Sequence, residues 1–454
     1  MPMSRRDLTR ALTVTVGSAT LLGTTELTTA SAAQRTHKRT TTATRSHDRS
    51  TRYPPLITHT HHRPTGYEVT FRYHAPDATR VQLKGEWYFG NPYELSSLAG
   101  TQDSVVATPG TTPAHWRPGD IPLPYPNSNV ANWPVVDMRK GRDGVWSYTT
   151  PLPSGTFSYG FFVDLGPDDG GVEVYDPSNP PWNAESGIGS VEPVSQVYVP
   201  SDDAFRTEDL SWQAPSDRPG SLVEVTYDAP TSLTPAGSNY AGVYTPPNYN
   251  RHRATPYPTV YMLAPDNEVA WGSQGALPNI LDNLINSGAI QPMVVVTPNV
   301  QGFPDSTDSA PVAENLLTAL MPYVESRYHV STAASRRAVA GLGYGASVAN
   351  ALLFGHTDEF GSFGVFSPGI KGPYTLPTTL SSDQVGALRE ANILVGGGLQ
   401  DPSHYYHASE VALLTSAGIP VMPNFVNGGH NWYSWRFNAK EFLSRVAFFP
   451  PFAG

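Results

Sequence analysis

The chain has 454 residues, a formal charge of -10 and no cysteine. That length predicts about two domains. The acidic balance argues against a nucleic-acid-binding face, and the lack of thiols excludes disulfides, cysteine nucleophiles and cysteine-ligated metals.

At the start, Ser4-Arg5-Arg6-Asp7-Leu8 precedes an uncharged stretch from Ala11 to Thr25 and the small residues Ala30-Ser31-Ala32. This reads as a twin-arginine-type signal peptide over residues 1–33, so a secreted protein is expected. The apolar stretch is too short and too rich in Thr and Gly for a permanent membrane span, and no other segment is longer. Residues 34–63 are rich in Thr, Arg, His and Ser and read as a disordered spacer. His59, His61 and His62 fall in it and read as solvated histidines, with no carboxylate or ordered element beside them to hold a metal. Neither a metal nor a cofactor is expected.

Residues 64–200 read as a β-sandwich. Glu68 to Tyr73 alternates apolar and polar residues, and so do the stretches around Arg80 to Leu83, Trp146 to Tyr148 and Phe157 to Phe161. Gly and Pro separate these runs. Trp87, Tyr88 and Trp182 read either as exposed aromatics that stack on sugar rings or as packing within the sandwich and its junction. Residues 201–220 read as a linker. Over 221–454, strands such as Thr259 to Leu263, Met293 to Thr297, Ile393 to Val395 and Val421 to Val426 alternate with helical patterns. Those patterns cover Asn279 to Ser287, Glu314 to Tyr328 and His404 to Thr415. Such alternation predicts a parallel sheet with helices on both faces.

Within this region lies Gly341-Leu342-Gly343-Tyr344-Gly345, entered from Ala338-Val339-Ala340 and left through Ala346-Ser347-Val348-Ala349. This is the strand, turn and helix of a G-x-S-x-G nucleophile elbow. Gly343 holds the serine's place, so the attacking oxygen is missing.

From about 221 to 449 the chain resembles the esterase family that includes enterochelin esterase, feruloyl esterases, S-formylglutathione hydrolase and mycolyltransferases. The resemblance rests on Val243 to Tyr249, Leu281 to Ile285 with Gly288, and Met293 to Pro298. It continues through Leu320 to Glu325, Tyr328 to Val330, the elbow, and Gly428-Gly429-His430-Asn431-Trp432-Tyr433-Ser434-Trp435. Residues His74 to Val81, Gly155 to Tyr159 and Tyr175 to Pro180 resemble the immunoglobulin-like module that precedes the catalytic domain in some of these esterases. That module is in turn related to a carbohydrate-binding module. The implied architecture is an α/β-hydrolase doubly wound sheet preceded by an all-β immunoglobulin-like sandwich. The resemblance also implies a catalytic acid at Asp401 and a base at His430. An oxyanion site is implied at the Tyr344 N–H and at Ala264-Pro265, with Trp432 near the cleft; Trp271 is a ligand-binding candidate. Pro265 has no N–H to donate.

Two readings follow. In the first, the protein is a non-catalytic homologue that binds a glycan or an acyl-ester small molecule. In the second, it is an active ester hydrolase or acyltransferase. Its nucleophile would then be a displaced serine (Ser347, Ser273 or Ser367) or a water activated by His430 and Asp401. A metal held by Asp401, His404 and His407 fits poorly, because i to i+6 drifts off one helical face. The sequence carries no signal for oligomeric state.

Overall fold

Apolar runs this dense leave little choice about where the second half of the chain goes. Eight strands form one sheet: β1 (Ser221–Leu233), β2 (Ala236–Thr245), β3 (Thr259–Leu263), β4 (Val294–Pro298), β5 (Arg337–Gly343), β6 (Ser362–Pro368), β7 (Asn392–Gly398) and β8 (Met422–Val426). Their order is β1-β2-β4-β3-β5-β6-β7-β8. β1 and β2 pair antiparallel, as do β2 and β4, and every pairing from β4 to β8 is parallel. This is a computed structural model that describes residues 53–95, 110–122, 133–184, 194–265, 267–303, 308–368 and 376–449. The export signal expected over 1–33 lies outside the described residues.

Strands β3 to β7 are buried along their whole length, as parallel strands covered on both faces must be. The two-residue period sorts their side chains. Tyr261, Leu263, Val339, Val365 and Val395 face one layer, and Val260, Met262, Ala340, Leu342 and Leu394 face the other. The first layer is closed by α2 (310–327), α3 (Tyr344–Gly355), α4 (Ser382–Arg389) and α5 (His404–Ser416), through Leu316, Val324, Leu352, Leu388 and Leu414. The second is closed by α1 (Leu277–Asn286) and α6 (Trp432–Arg445), through Ile280, Leu281, Phe442 and Leu443. Each large apolar side chain buried this way contributes about 1.5–3 kcal/mol. Caps fix the ends: Ser381 and Gln384 form a capping box at α4, and Asn431 caps α6 by accepting from the Ser434 N–H.

The N-terminal region is all-β, as its alternating runs predict. One antiparallel sheet joins Leu56–His59, Tyr67–His74, Val145–Pro151 and Arg139–Lys140. The other joins Ser195–Val199, Gly155–Val163, Val81–Gly85 and Val135–Asp137. They share one core, where Phe71 meets Tyr159 at 4.8 Å and Tyr73 meets Phe161 at 4.7 Å between ring centroids.

Two expectations need correction, and one open choice is decided. The spacer does not run to residue 63, because Leu56–His59 pairs in register with Tyr67–Thr70. Residues 201–220 are not a loose linker. Leu210 is buried, and the Asn279 and Asn283 side chains donate to the carbonyls of Trp212, Gln213 and Ala214. Trp87 is not an exposed sugar platform. It is 2% exposed and packs on Phe71 at 5.1 Å. Trp182 lies at the junction, where its ring covers Gly242 and Gly272 so closely that a Cβ at either would crowd it.

A buried arginine ties the two regions together. Arg436, on α6, donates from Nε and Nη2 to the Gln274 carbonyl and from Nη1 to the Thr156 carbonyl of the sandwich. Burial pulls its guanidinium down to about 10, against the opposing pull of Glu86. Arg436→Ala should leave two buried carbonyls unpaired and a void, and destabilise the protein by roughly 3 kcal/mol or more. A urea titration with probes in both regions should show both transitions moving together; a shift confined to one would argue against the clamp.

Candidate active site

The carboxyl ends of parallel strands in an α/β sheet are where loops gather and ligands bind. The sequence candidates meet along this edge: Ala264 and Pro265 after β3, Gly343 at the end of β5, Asp401 after β7 and His430 after β8. Sequence motif and topology agree here.

The elbow is present in its backbone. Gly343, the last residue of β5 and the N-cap of α3, has φ 56° and ψ -124°. Its flanking glycines answer to space. A Cβ on Gly341 would come 2.1 Å from the Gly345 carbonyl oxygen, and one on Gly345 would come 2.7 Å from the Leu263 backbone. Gly343 is different: a Cβ there would meet only the Pro265 ring, at 3.2 Å and beyond. Packing therefore demands the outer glycines, while the central one is set by a left-handed backbone. Tyr344, the first residue of α3, donates its hydroxyl to the Asp308 carbonyl.

Asp401 and His430, the acid and base that the resemblance implies, are joined. His430 Nδ1 lies 3.2 and 3.1 Å from the two carboxylate oxygens of Asp401. With Nδ1–H donating, Nε2 is the basic nitrogen of the neutral ring. Asp401 is wholly buried, while the His430 side chain keeps 21% exposure. Burial alone would raise the Asp401 carboxyl, but His430 and the surrounding donors hold it well below the usual carboxylate range. Burial likewise opposes charge on His430, and Asp401 outweighs it, so the imidazole sits above its ordinary value.

The loops that carry this pair are stitched to each other. The Gln400 N–H donates to the Gly428 carbonyl at 2.9 Å, and the Gly428 N–H donates to Gln400 Oε1 at 2.7 Å. A Cβ on Gly398 would strike the same Gly428 carbonyl at 2.1 Å, so this approach requires glycine. Trp435 presents its ring edge-on to His430 at 5.0 Å. Trp432 donates Nε1–H to Gln274 Oε1 at 2.8 Å and packs against Trp271. Trp271 is fully buried and Trp432 is 8% exposed, so both brace the base loop and neither offers a ring to a ligand.

His407, weighed in the sequence only as a poor metal ligand beside Asp401, belongs to this network through a hydroxyl. Ser403 donates its backbone N–H and its hydroxyl to Asp401 Oδ1, at 2.8 and 2.7 Å. His407 Nε2 lies 3.2 Å from the Ser403 hydroxyl oxygen, and the His407 ring is buried beside Gly397. With the serine proton committed to Asp401, His407 Nε2 is the donor. The Asp-x-Ser spacing was the available signal, because a serine two residues past an Asp readily closes such a turn. His407 engages Asp401 through Ser403, whereas His430 contacts the carboxylate directly. The imidazole and carboxylate groups that converge closely enough to share an ion, among the described residues, are His59, His61 and Asp202 instead.

The serine candidates are placed as follows. Ser347 is half-buried one turn into α3. Ser273 donates its hydroxyl to the Val269 carbonyl. Ser367 is wholly buried near the end of β6, with φ 44°.

Comparison with known proteins places this sheet and its helices among similar folds. The "Esterase" family model matches residues 236–443. An endo-1,4-beta-xylanase/feruloyl esterase from Xylanibacter ruminicola is 27% identical over 250 residues, covering 52% of this chain but only 32% of that protein. The chain thus spans about a third of that relative. Among solved structures, the enterobactin esterase from Shigella flexneri, obtained in the presence of enterobactin, is 17% identical with a TM-score of 0.50. The alignment covers 86% of this chain and 95% of that one. A ferulic acid esterase from Anaeromyces mucronatus in complex with ferulic acid is 19% identical over 52% of this chain and 95% of its own, with a TM-score of 0.46. At these identities the structural likeness is one of fold.

Burial pushes the His407 imidazole down to about 4. A neutral histidine in the folded state against an ordinary one near 6.5 in the unfolded chain stabilises the fold above pH 6.5. That contribution, on the order of 3 kcal/mol, is lost as pH falls through the window to about 4. His407→Gln should therefore lose less stability than the native chain between pH 7 and 4.5 in urea titrations. Equal losses would show that His407 is not the titrating group.

Proposed function

Given that the chain belongs, through residues 236–443, to the esterase family of α/β-hydrolases, we propose that it is a member that binds an ester or glycan without cleaving it. One observation carries this reading: the residue at the elbow bend is Gly343, which has the backbone of an attacking residue and no atom to attack with. The Pro265 ring, 3.2 Å from the place of a Cβ, supports it by filling the space over the bend. Pro265 also lacks an N–H, so the loop after β3 offers no oxyanion donor at that residue.

The ligand class follows from the relatives. The matched Xylanibacter protein is named a feruloyl esterase, so an aromatic acyl ester carried on a polysaccharide is the first ligand class to try. The reading also includes secretion through the twin-arginine segment around Arg5 and Arg6, and an immunoglobulin-like character for the all-β region. No helix among the described residues is long and apolar enough to cross a membrane.

A second reading, ester hydrolysis by water that His430 activates, is favoured by the intact Asp401–His430 pair. Hydrolysis of methyl ferulate and p-nitrophenyl acetate by the purified protein separates the two. The native chain should show no turnover above buffer, and Gly343→Ser should gain turnover that vanishes when His430→Ala is added. That gain should stay about a hundredfold or more below an esterase with a complete oxyanion site. Native turnover abolished by His430→Ala would defeat the binding-only reading. At φ 56° the new serine should also cost about 1–2 kcal/mol of stability, read by thermal unfolding.

A further inference from the structure

Away from the sheet edge, a turn and a connection bring three ligand-type side chains together. His59 ends the strand Leu56–His59, His61 follows in the turn, and Asp202 lies just after the strand Ser195–Val199. His59 Nε2 is 2.8 Å from Asp202 Oδ2. The His59 and His61 rings stand 3.7 Å apart between centroids at 41°. One nitrogen from each ring and one Asp202 oxygen all lie within 4.8 Å of one another.

The surroundings hold this trio in place. Tyr67 stacks on His59 at 4.4 Å and 9°. Asp202 Oδ1 accepts from the Ala204 N–H at 2.9 Å, which turns Oδ2 toward the histidines. The turn is closed by Thr60 N–H and His61 N–H donating to the Gly66 carbonyl, and by Gly66 N–H donating to the His62 carbonyl. Gly66, at φ 81°, is the residue over which Asp202 fits, since a Cβ there would come 2.2 Å from Oδ2. An ion pair alone explains His59. It does not explain a second imidazole set against the first by a left-handed backbone, with φ 57° at His61. Two protonated rings that close would repel, whereas two neutral rings can share one cation.

We propose that His59, His61 and Asp202 bind a divalent transition-metal ion of the zinc class, with solvent completing its coordination. Two imidazoles and one carboxylate suit zinc and its neighbours and disfavour calcium and magnesium, which take oxygen ligands. Binding displaces the His59–Asp202 hydrogen bond: a neutral ring coordinates through one nitrogen and keeps its proton on the other, and a ring that is protonated gives up one proton to solvent. The ion ties the first strand of the all-β region to the connection that leads toward β1.

Calorimetric titration of the whole chain with Zn2+, backed by visible absorption of bound Co2+, tests this. Native protein should bind with an affinity that falls about tenfold or more in Asp202→Asn and in His61→Asn, and that His62→Ala leaves unchanged. Asparagine suits both positions, keeping the acceptor toward Ala204 at 202 and tolerating positive φ at 61; circular dichroism checks that each variant folds. Zn2+ should also raise the unfolding temperature of the native chain and leave that of Asp202→Asn unmoved. Equal affinity in Asp202→Asn, a loss in His62→Ala as large as in His61→Asn, a preference for Ca2+ or Mg2+, or no binding at all would overturn the proposal.

Discussion

A carboxylate removed from water must be compensated on every side, and the edge of the sheet is arranged around that demand at Asp401. Its oxygens receive His430 from the β8 loop and two donors from Ser403, and Ser403 in turn receives His407 from α5. Two segments, the loop after β8 and the start of α5, thus converge on one buried charge, and glycines in β7 let them approach. The arrangement fixes where His430 stands whether or not anything is there for it to deprotonate. The Asp401–His430 pair is thus part of how the loops are held.

The second structural dependency runs between the two halves of the chain. Arg436 reaches from α6 to carbonyls on both sides, Trp182 lies over Gly242 and Gly272, and Tyr433 donates to Glu208. Because α6 also begins one residue after Asn431 and two after His430, the clamp and the base loop share a helix. Packing of the all-β region and placement of His430 are therefore not independent.

Much of this was legible in the sequence. Thr259–Leu263 is a strand with the bounds its apolar run implies, and the helices over α1, α2 and α5 follow their apolar spacing within a few residues. The Gly341 to Gly345 bend and the Asp401 and His430 positions were readable because each is a short motif at a strand end. What escaped was long-range. Gln274 and Arg436 are 162 residues apart, and no local pattern announces that a carbonyl awaits a guanidinium. Leu56–His59 was missed because it is exposed along its length and shows no alternation. Trp87 stayed open between surface and core because a lone tryptophan in a short strand-turn stretch has the same local signature in either place. Asp202 was not connected to His59 because 143 residues separate them.

The ridge of contacts through Arg436 and Trp182 has an evolutionary corollary. A module joined to its neighbour only by a tether can be lost, duplicated or exchanged by recombination with little effect on what remains. Here a cut before Ser221 would strip Arg436 of its Thr156 acceptor and uncover Gly242 and Gly272. Shuffling of the two halves should accordingly be selected against, and their surfaces should have drifted together as one lineage.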